Sequence, residues 1–497
     1  MISRPILIGI CLGWLVASAN PLEAQFRRFG TRPGQRRQGS GLNPIHERTK
    51  TGAEQAYQRG DYQRAIDLTS SVLRANSRDD VAYYLRSSSR VELGLQQRNR
   101  KIVRDGIADS REALRLKGRE NPIYYIPYLY GMTGLATLEN RKEHAEIAVK
   151  FAGQAIGTGG LKSEDKAHLL YQRARARAFL QDYDNAIFDF KEAVRLLPTQ
   201  LGFQMDLADA YAKSGRMDEA TTVYKRTIDA FPNEPLVYNN RGMLLQQSGD
   251  VETSIEDFSR ALQLNPKYFY AYTNRGFTLL KSDDPAAAEN DFTASLRINP
   301  QQAMVYGFRA TARLQQGKVQ EAIADHQQAL KMVPQNPLAH ADLGFARFFA
   351  EDYAGALQSF DRAIALDPKL RYLNPWRYLA TELDDGAAVV KSKFAEQIEP
   401  NAEKRDWIGH LLAYLSGQIG NEELIESLSD TKAEITNAQR CEAHFFIGRR
   451  EATEGQSDEA AKHFRLAIET KAKQLSAFRG AAFALEKITV AEASLID

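Results

Sequence analysis

The sequence predicts an all-α solenoid built from antiparallel helix pairs, and three observations predict it. Six consecutive segments, starting at Ala167, Leu201, Pro235, Phe269, Ala303 and Pro337, share a 34-residue period with no insertion or deletion. Small residues recur in each at fixed places. The eighth position holds Ala174, Ala208, Gly242, Gly276, Ala310 and Gly344, and the twentieth holds Ala186, Ala220, Ser254, Ala288, Ala322 and Ala356. Proline stands at the thirty-second position every time, from Pro198 to Pro368.

Each choice has a physical cause. Small side chains let two helices approach closely. The bulky twenty-fourth position (Phe190, Tyr224, Phe258, Phe292, His326, Phe360) fills the gap between neighbouring helix pairs. Proline cannot continue a helix and separates one unit from the next. Gly215, Gly249 and Gly317 fall between the two helices of their units, where glycine adopts a left-handed turn most easily. The pattern resembles the tetratricopeptide repeat (TPR) family. The resemblance implies a right-handed superhelix of antiparallel helix pairs, with about nine or ten repeats by pattern counting and a C-terminal capping helix. Such arrays bind other macromolecules far more often than they catalyse.

From the N-terminus, Arg4 precedes an apolar run from Ile6 to Val16 and then Ala17-Ser18-Ala19. A charged start, a short apolar core and a small-x-small site predict a secretory signal within 1–24, cleaved after Ala19 or Ala24. An uncleaved membrane anchor is the alternative. Ile8-Gly9-Ile10 before Cys11 does not fit a lipid-anchor signal. Removal of the signal leaves Cys441 as the only cysteine, so no intrachain disulfide follows. Residues 25–48 hold Arg27, Arg28, Arg32, Arg36, Arg37 and Arg48 against Glu47, interleaved with glycine and proline. This composition predicts a basic disordered linker, with weak contact to an anionic polymer or membrane surface as the sharper reading.

Residues 49–162 read as divergent repeats, marked by Gly60-Asp61-Tyr62, by a unit from Asp80 stretched around Arg98–Lys101, and by a unit from Asn121 to Ile156. Residues 167–370 are the six regular repeats, 371–440 an irregular helical segment, 441–474 a further repeat and 475–490 the cap. Apolar content of 43%, charged content of 26% and a net charge of +2 are ordinary for a globular chain and imply no general affinity for nucleic acid.

A second resemblance covers roughly Asn374 to Leu485. Asn374-Pro-Trp376-Arg-Tyr378 opens it. Arg405-Asp406-Trp407, Tyr414-Leu-Ser-Gly417, Glu442-Ala-His444-Phe-Phe446 and Phe478-Arg-Gly-Ala-Ala-Phe483 follow in order. This resembles the C-terminal half of new-lipoprotein-I-type TPR adaptors of the bacterial cell envelope. The resemblance implies a non-enzymatic adaptor that recruits peptidoglycan hydrolases and a periplasmic protease and forms homodimers. A self-assembling structural scaffold is the alternative reading.

No catalytic constellation is legible, and no metal or cofactor is expected. Gly157-Thr-Gly159-Gly160 lacks the Lys-Ser/Thr ending of a phosphate loop and reads as a turn. Cys441 and His444 lie one helical turn apart, but two ligands make no metal site. Trp376 and Trp407 read as core anchors.

The groove carries the binding expectation. In a TPR superhelix, first-helix positions 2, 5, 6, 9, 12 and 13 face the concave side or its edge. The sixth runs Gln172, Asp206, Asn240, Asn274, Phe308, Asp342, with Asn239 beside it. Amides both donate and accept, so such a ladder suits the backbone of an extended peptide; the alternative is amides that are merely solvated. Tyr270, Phe277, Phe345, Phe348 and Phe349 add apolar contact, or else pack under the odd C-terminal helices. No repeat pairs Lys at position five with Asn at position nine, so a clamp for C-terminal carboxylates is absent.

Overall fold

A computed structural model describes residues 44–117, 121–428, 437–473 and 475–493. The expected signal segment 1–24 and most of the expected linker 25–48 lie outside the described residues. The first helix, α1 (Pro44–Gln58), already begins inside the latter stretch.

Among the described residues there are 25 α-helices and no strand. The divergent region forms α1, α2 (Tyr62–Ala75), α3 (Asp80–Gln96), α4 (Arg100–Lys117), α5 (Tyr125–Glu139) and α6 (Lys142–Gly157). The regular block forms α7 (Ser163–Phe179), α8 (Tyr183–Leu196), α9 (Leu201–Lys213), α10 (Met217–Ala230), α11 (Pro235–Ser248) and α12 (Val251–Leu264). It continues as α13 (Phe269–Lys281), α14 (Pro285–Ile298), α15 (Ala303–Leu314), α16 (Val319–Met332), α17 (Pro337–Phe349) and α18 (Tyr353–Leu366). The irregular segment forms α19 (Asn374–Asp385), α20 (Ala387–Phe394), α21 (Trp407–Leu415) and α22 (Asn421–Glu426). A last pair, α23 (Asn437–Thr453) and α24 (Ser457–Glu469), is followed by α25 (Ser476–Ala493). None of these helices is long and apolar enough to cross a membrane. The helices form two compact units, residues 44–253 and 254–493, divided within α12.

The repeat register is visible in the contacts. A Cβ built on Gly276 meets the Phe292 ring at 3.0 Å, and one on Gly344 or Gly448 meets Phe360 or Phe464 at 2.5 or 2.8 Å. Each glycine is an eighth-position residue, or its equivalent in α23, and each ring lies sixteen residues on. The small residue therefore seats the bulky one of its own unit. The ring also reaches the next unit, as Phe292 does to Phe308 at 5.7 Å, so the expected filling of the gap between helix pairs is joined by a contact within the pair.

The turn between paired helices has a constant shape. The fifteenth position has positive φ in all six regular units, at Gly215, Gly249 and Gly317 but also at Gln181 (64°), Asp283 (70°) and Glu351 (63°). Left-handed backbone disfavours a side chain, so three units hold this turn without the residue that adopts it best.

A polar clasp joins the paired helices. The Arg173 guanidinium donates to both oxygens of Asp189 at 2.7 Å. Arg275 holds Asp291 in the same way at 2.8 and 2.7 Å, and Arg309 holds Asp325 at 2.9 and 2.7 Å. The arginine is the seventh residue of its unit and the aspartate the twenty-third. Arg177 and Arg313 add a second cation to Asp189 and Asp325. These carboxylates are buried, so the bidentate geometry offsets the loss of water.

In the second unit the core gathers around Trp376. Its ring lies 5.0 and 5.2 Å from Phe345 and Phe348 and 4.8 Å from Phe445. Trp407 is also largely buried and donates its indole N–H to Glu442 at 2.6 Å. Cys441 is buried and its thiol is pushed up to about 12 by burial. His444 turns to His463, with the two Nδ1 atoms 2.9 Å apart.

Candidate functional site

The amide ladder expected on the concave face is mostly interior. Gln172, Asn239 and Asn240 are 1%, 0% and 2% exposed, and Asn274 is also buried. The Asn239 amide donates to Asn240 Oδ1 at 3.1 Å and faces Met243 Sδ at 3.7 Å. Asn240 in turn meets the Tyr224 hydroxyl. Position six thus lies mostly in a packing seam, where Asn240 satisfies buried partners rather than a peptide, while Gln172 Oε1 is shielded and has no partner. Of that row only Asp206 and Asp342 keep partial exposure.

The expected aromatic patch is also corrected. Phe277 is buried against Phe308, at 5.4 Å between ring centres, and Lys281 Nζ lies 4.9 Å over its ring. Phe345, Phe348 and Phe349 belong to the core around Trp376. Tyr270 remains half-buried, against Phe269 at 4.0 Å and Tyr268 at 6.0 Å.

What faces outward in residues 44–253 is position nine of α7, α9 and α11: Arg175, Asp209 and Met243, each partly exposed. Lys213 lies one turn beyond Asp209. Arg175 is held in place rather than neutralised. Its guanidinium lies 4.9 Å over the Tyr130 ring, and Nε is 3.6 Å from Asp206 Oδ2. The Tyr171 hydroxyl donates to that same oxygen at 2.7 Å. Burial works against the Arg175 charge, but Tyr171, Tyr130 and Asp206 together raise its pKa, so it stays a cation. Its Nη1 has no hydrogen-bond partner.

Asp209 is the counterpart. Lys213 Nζ binds Oδ2 at 2.7 Å, whereas Oδ1 has no partner. Burial pushes the carboxyl up to about 6, against the pull of Lys213. Groups whose ionisation is perturbed in a groove mark binding sites more often than chance. Successive first helices therefore present a partly exposed cation, a partly exposed carboxylate and an adaptable thioether, while Arg175 Nη1 and Asp209 Oδ1 themselves are shielded from water. Sequence reasoning placed position nine on the concave side but tested it only for the carboxylate clamp. A charged residue on each of two successive units was the available signal.

In residues 254–493 the part of the corresponding surface at α17 is covered from within. The C-terminal helix α25 lies against α17. Phe483 stacks on Phe349 with ring centres 5.1 Å apart, and Lys473 Nζ binds Asp283 Oδ2 at 2.6 Å. Lys487 pairs with Glu351. Arg479 faces Asp342, whose carboxyl is pushed up to about 6 by burial, against the pull of that guanidinium. A Cβ on Gly480 meets Phe445 at 2.6 Å and Phe349 at 3.3 Å, so only glycine permits this approach.

Tetratricopeptide repeat models match residues 180–243 and 235–268, and a TPR repeat model matches residues 310–348. This is a tetratricopeptide repeat protein. Tetratricopeptide repeats mediate protein–protein interaction, and a repeat scaffold for protein binding is what the fold provides. Solved TPR structures resemble parts of the chain. PilF of Pseudomonas aeruginosa is 19% identical, covering 41% of this chain and 94% of its own, with a TM-score of 0.37. YrrB, described as a TPR protein with an unusual peptide-binding site, is 16% identical over 36% and 92%, with a TM-score of 0.32. A tetratricopeptide repeat protein from Parabacteroides merdae is 13% identical over 61% and 93%, with a TM-score of 0.34. No curated protein matches the chain.

Proposed function

We infer that this TPR protein is a non-enzymatic adaptor of the bacterial cell envelope, holding an extended segment of a partner protein against Arg175, Asp209 and Met243. The observation that carries this reading is the pair of partly exposed charged side chains, Arg175 and Asp209, at the same position of successive first helices, with Met243 following them in the next. A partner's carbonyl or carboxylate pairs with the exposed part of the Arg175 guanidinium, and a partner's N–H or basic side chain with the exposed part of the Asp209 carboxylate. Met243 adapts to an apolar side chain beside them.

The envelope assignment rests on two features of the sequence. The charged, apolar and small-residue segments of 1–24 support export with signal cleavage, and a retained N-terminal anchor is the alternative. The C-terminal resemblance supports cell-wall hydrolases or a protease as partners and a homodimeric state. The basic stretch 25–48 supports weak contact with anionic polymer or membrane surface.

The deciding experiment captures partners on the full mature chain from an envelope extract and compares Arg175→Met with Asp209→Asn. Defined proteins retained by the parent should be lost from both variants and kept by Lys225→Ala, on the second helix of its unit. Partners that bind all four alike would remove the groove from the argument. N-terminal sequencing of the mature protein tests export, with Met1 retained as the opposing result.

A further inference from the structure

The second unit shows what its own groove accepts, because one helix already occupies it. Helix α25 meets α17 and the turn that follows it, and Lys473, just before α25, meets the turn after α13. Lys473 reaches Asp283, Arg479 faces Asp342, Phe483 stacks on Phe349, and Lys487 reaches Glu351. The two rim carboxylates share a peculiarity. Asp283 and Glu351 occupy fifteenth-position turns with positive φ, where three sister units carry glycine. A carboxylate kept at a strained turn suits a position that must hold a cation.

The hold on this side is loose. Both lysine pairs are more than half exposed on each partner, and such pairs are weak and easily screened by salt. Arg479 Nε and Ser476 Oγ, both shielded from water, have no hydrogen-bond partner, which penalises the docked position. On its opposite side α25 is packed more conventionally, with Ala477, Ala481 and Ala484 buried in the core.

We propose that the face of α17 between the turns of Asp283 and Glu351 is a docking site for an amphipathic helix of a partner protein. That helix carries a basic residue near each end and an aromatic ring between them on one face, and α25 occupies its place in the free chain. A partner helix of this kind displaces α25 from Phe349 and takes over the carboxylates of Asp283 and Glu351. The site is separate from Arg175 and Asp209, so either can fail without the other.

The test uses the full chain and a fluorescent synthetic peptide of residues 472–490 as probe. Lys473→Glu, Phe483→Ala and Lys487→Glu are combined to loosen α25, with thermal melting confirming that the array stays folded. The peptide should bind this variant at least tenfold more tightly than the parent. Adding Asp283→Lys and Glu351→Lys should abolish that binding. A folded variant that ignores the peptide overturns the proposal. So does one that ignores it and becomes a stable dimer, which assigns the groove to a second copy. A measurement on the unaltered chain covers the case where the variant fails to fold. Raising NaCl from about 0.05 to about 0.5 M should speed hydrogen exchange in α25 several-fold and leave α17 unchanged. Equal protection at both salt levels also overturns it.

Discussion

Arg173 holds both carboxylate oxygens of Asp189 at 2.7 Å, sixteen residues along the chain and across the two helices of one repeat. Asp189 is fully buried, and Arg177 is its other cation. Removing Arg173 leaves a buried carboxylate with half its partners. Arg173→Met is expected to destabilise by about 3 kcal/mol in urea unfolding. The double variant Arg173→Met with Asp189→Leu should recover much of that loss, because the fully buried carboxylate is gone and Arg177 keeps partial exposure and the Asn185 carbonyl. A double variant as unstable as the single one would show that the clasp contributes more than charge balance.

Asp209 carries a pH signature. Its folded carboxyl titrates near 6 and an unfolded one at its ordinary value of 3.8. Between those values the folded chain binds the extra proton, so this residue lowers stability as pH rises and lowers it most above 6. Asp209→Asn should therefore raise stability at pH 7.5 by roughly 1 kcal/mol, discounted for partial exposure. The gain should shrink as pH falls from 6 to 4. Thermal melts of both chains across that range check it. A stabilising change that also removes partner binding is the pattern of a residue kept for function.

Two glycines on first helices should respond in opposite directions. Gly276→Leu drives a branched side chain into Phe292 and should cost about 1–3 kcal/mol or more. Gly307 lies in α15 with nothing within 4 Å of an added Cβ, so Gly307→Ala should stabilise by about 0.5–1 kcal/mol. Matching shifts in melting temperature would mean the repeat register is misassigned.

Gln181 tests the left-handed turn where it makes no ion pair. Its φ is 64°, and Gly215 holds the equivalent place in the next unit at 83°. Gln181→Gly should stabilise by up to about 1 kcal/mol, since relief of strain outweighs the added freedom of the unfolded chain. A loss of stability on denaturant titration would count against the strain argument.

The array was legible because its period is local. Position eight and position twenty-four meet within one unit, so Gly276 and Phe292 needed no knowledge of distant residues. The clasp of seventh-position arginine and twenty-third-position aspartate recurs with the same period, but apolar spacing carries no trace of it. The binding face was harder. Asn240 and Arg175 both sit on first helices, three positions apart in register. Only packing shows that the amide is sealed in a seam while the arginine keeps partial exposure. Phe349 was harder still. Its partner Phe483 lies in a helix that no repeat rule connects to α17, and nothing near Phe349 in sequence announces it.

The spacing of Asp283 and Glu351 has a mechanical consequence. They lie two periods apart, and the lysines that reach them lie fourteen residues apart along the C-terminal segment. Lys473 lies before the helix, and from Ser476 to Lys487 the helix rises about 17 Å. That is close to two steps between neighbouring packed helices of about 10 Å each. A repeat array ordinarily behaves as a spring, because each unit touches only its neighbours and small rotations accumulate. Here α25 acts as a strut spanning two coils of that spring. While it is seated, curvature across α13, α15 and α17 is fixed. When it leaves, this stretch regains the compliance of a simple array, and occupancy of the groove becomes readable as stiffness.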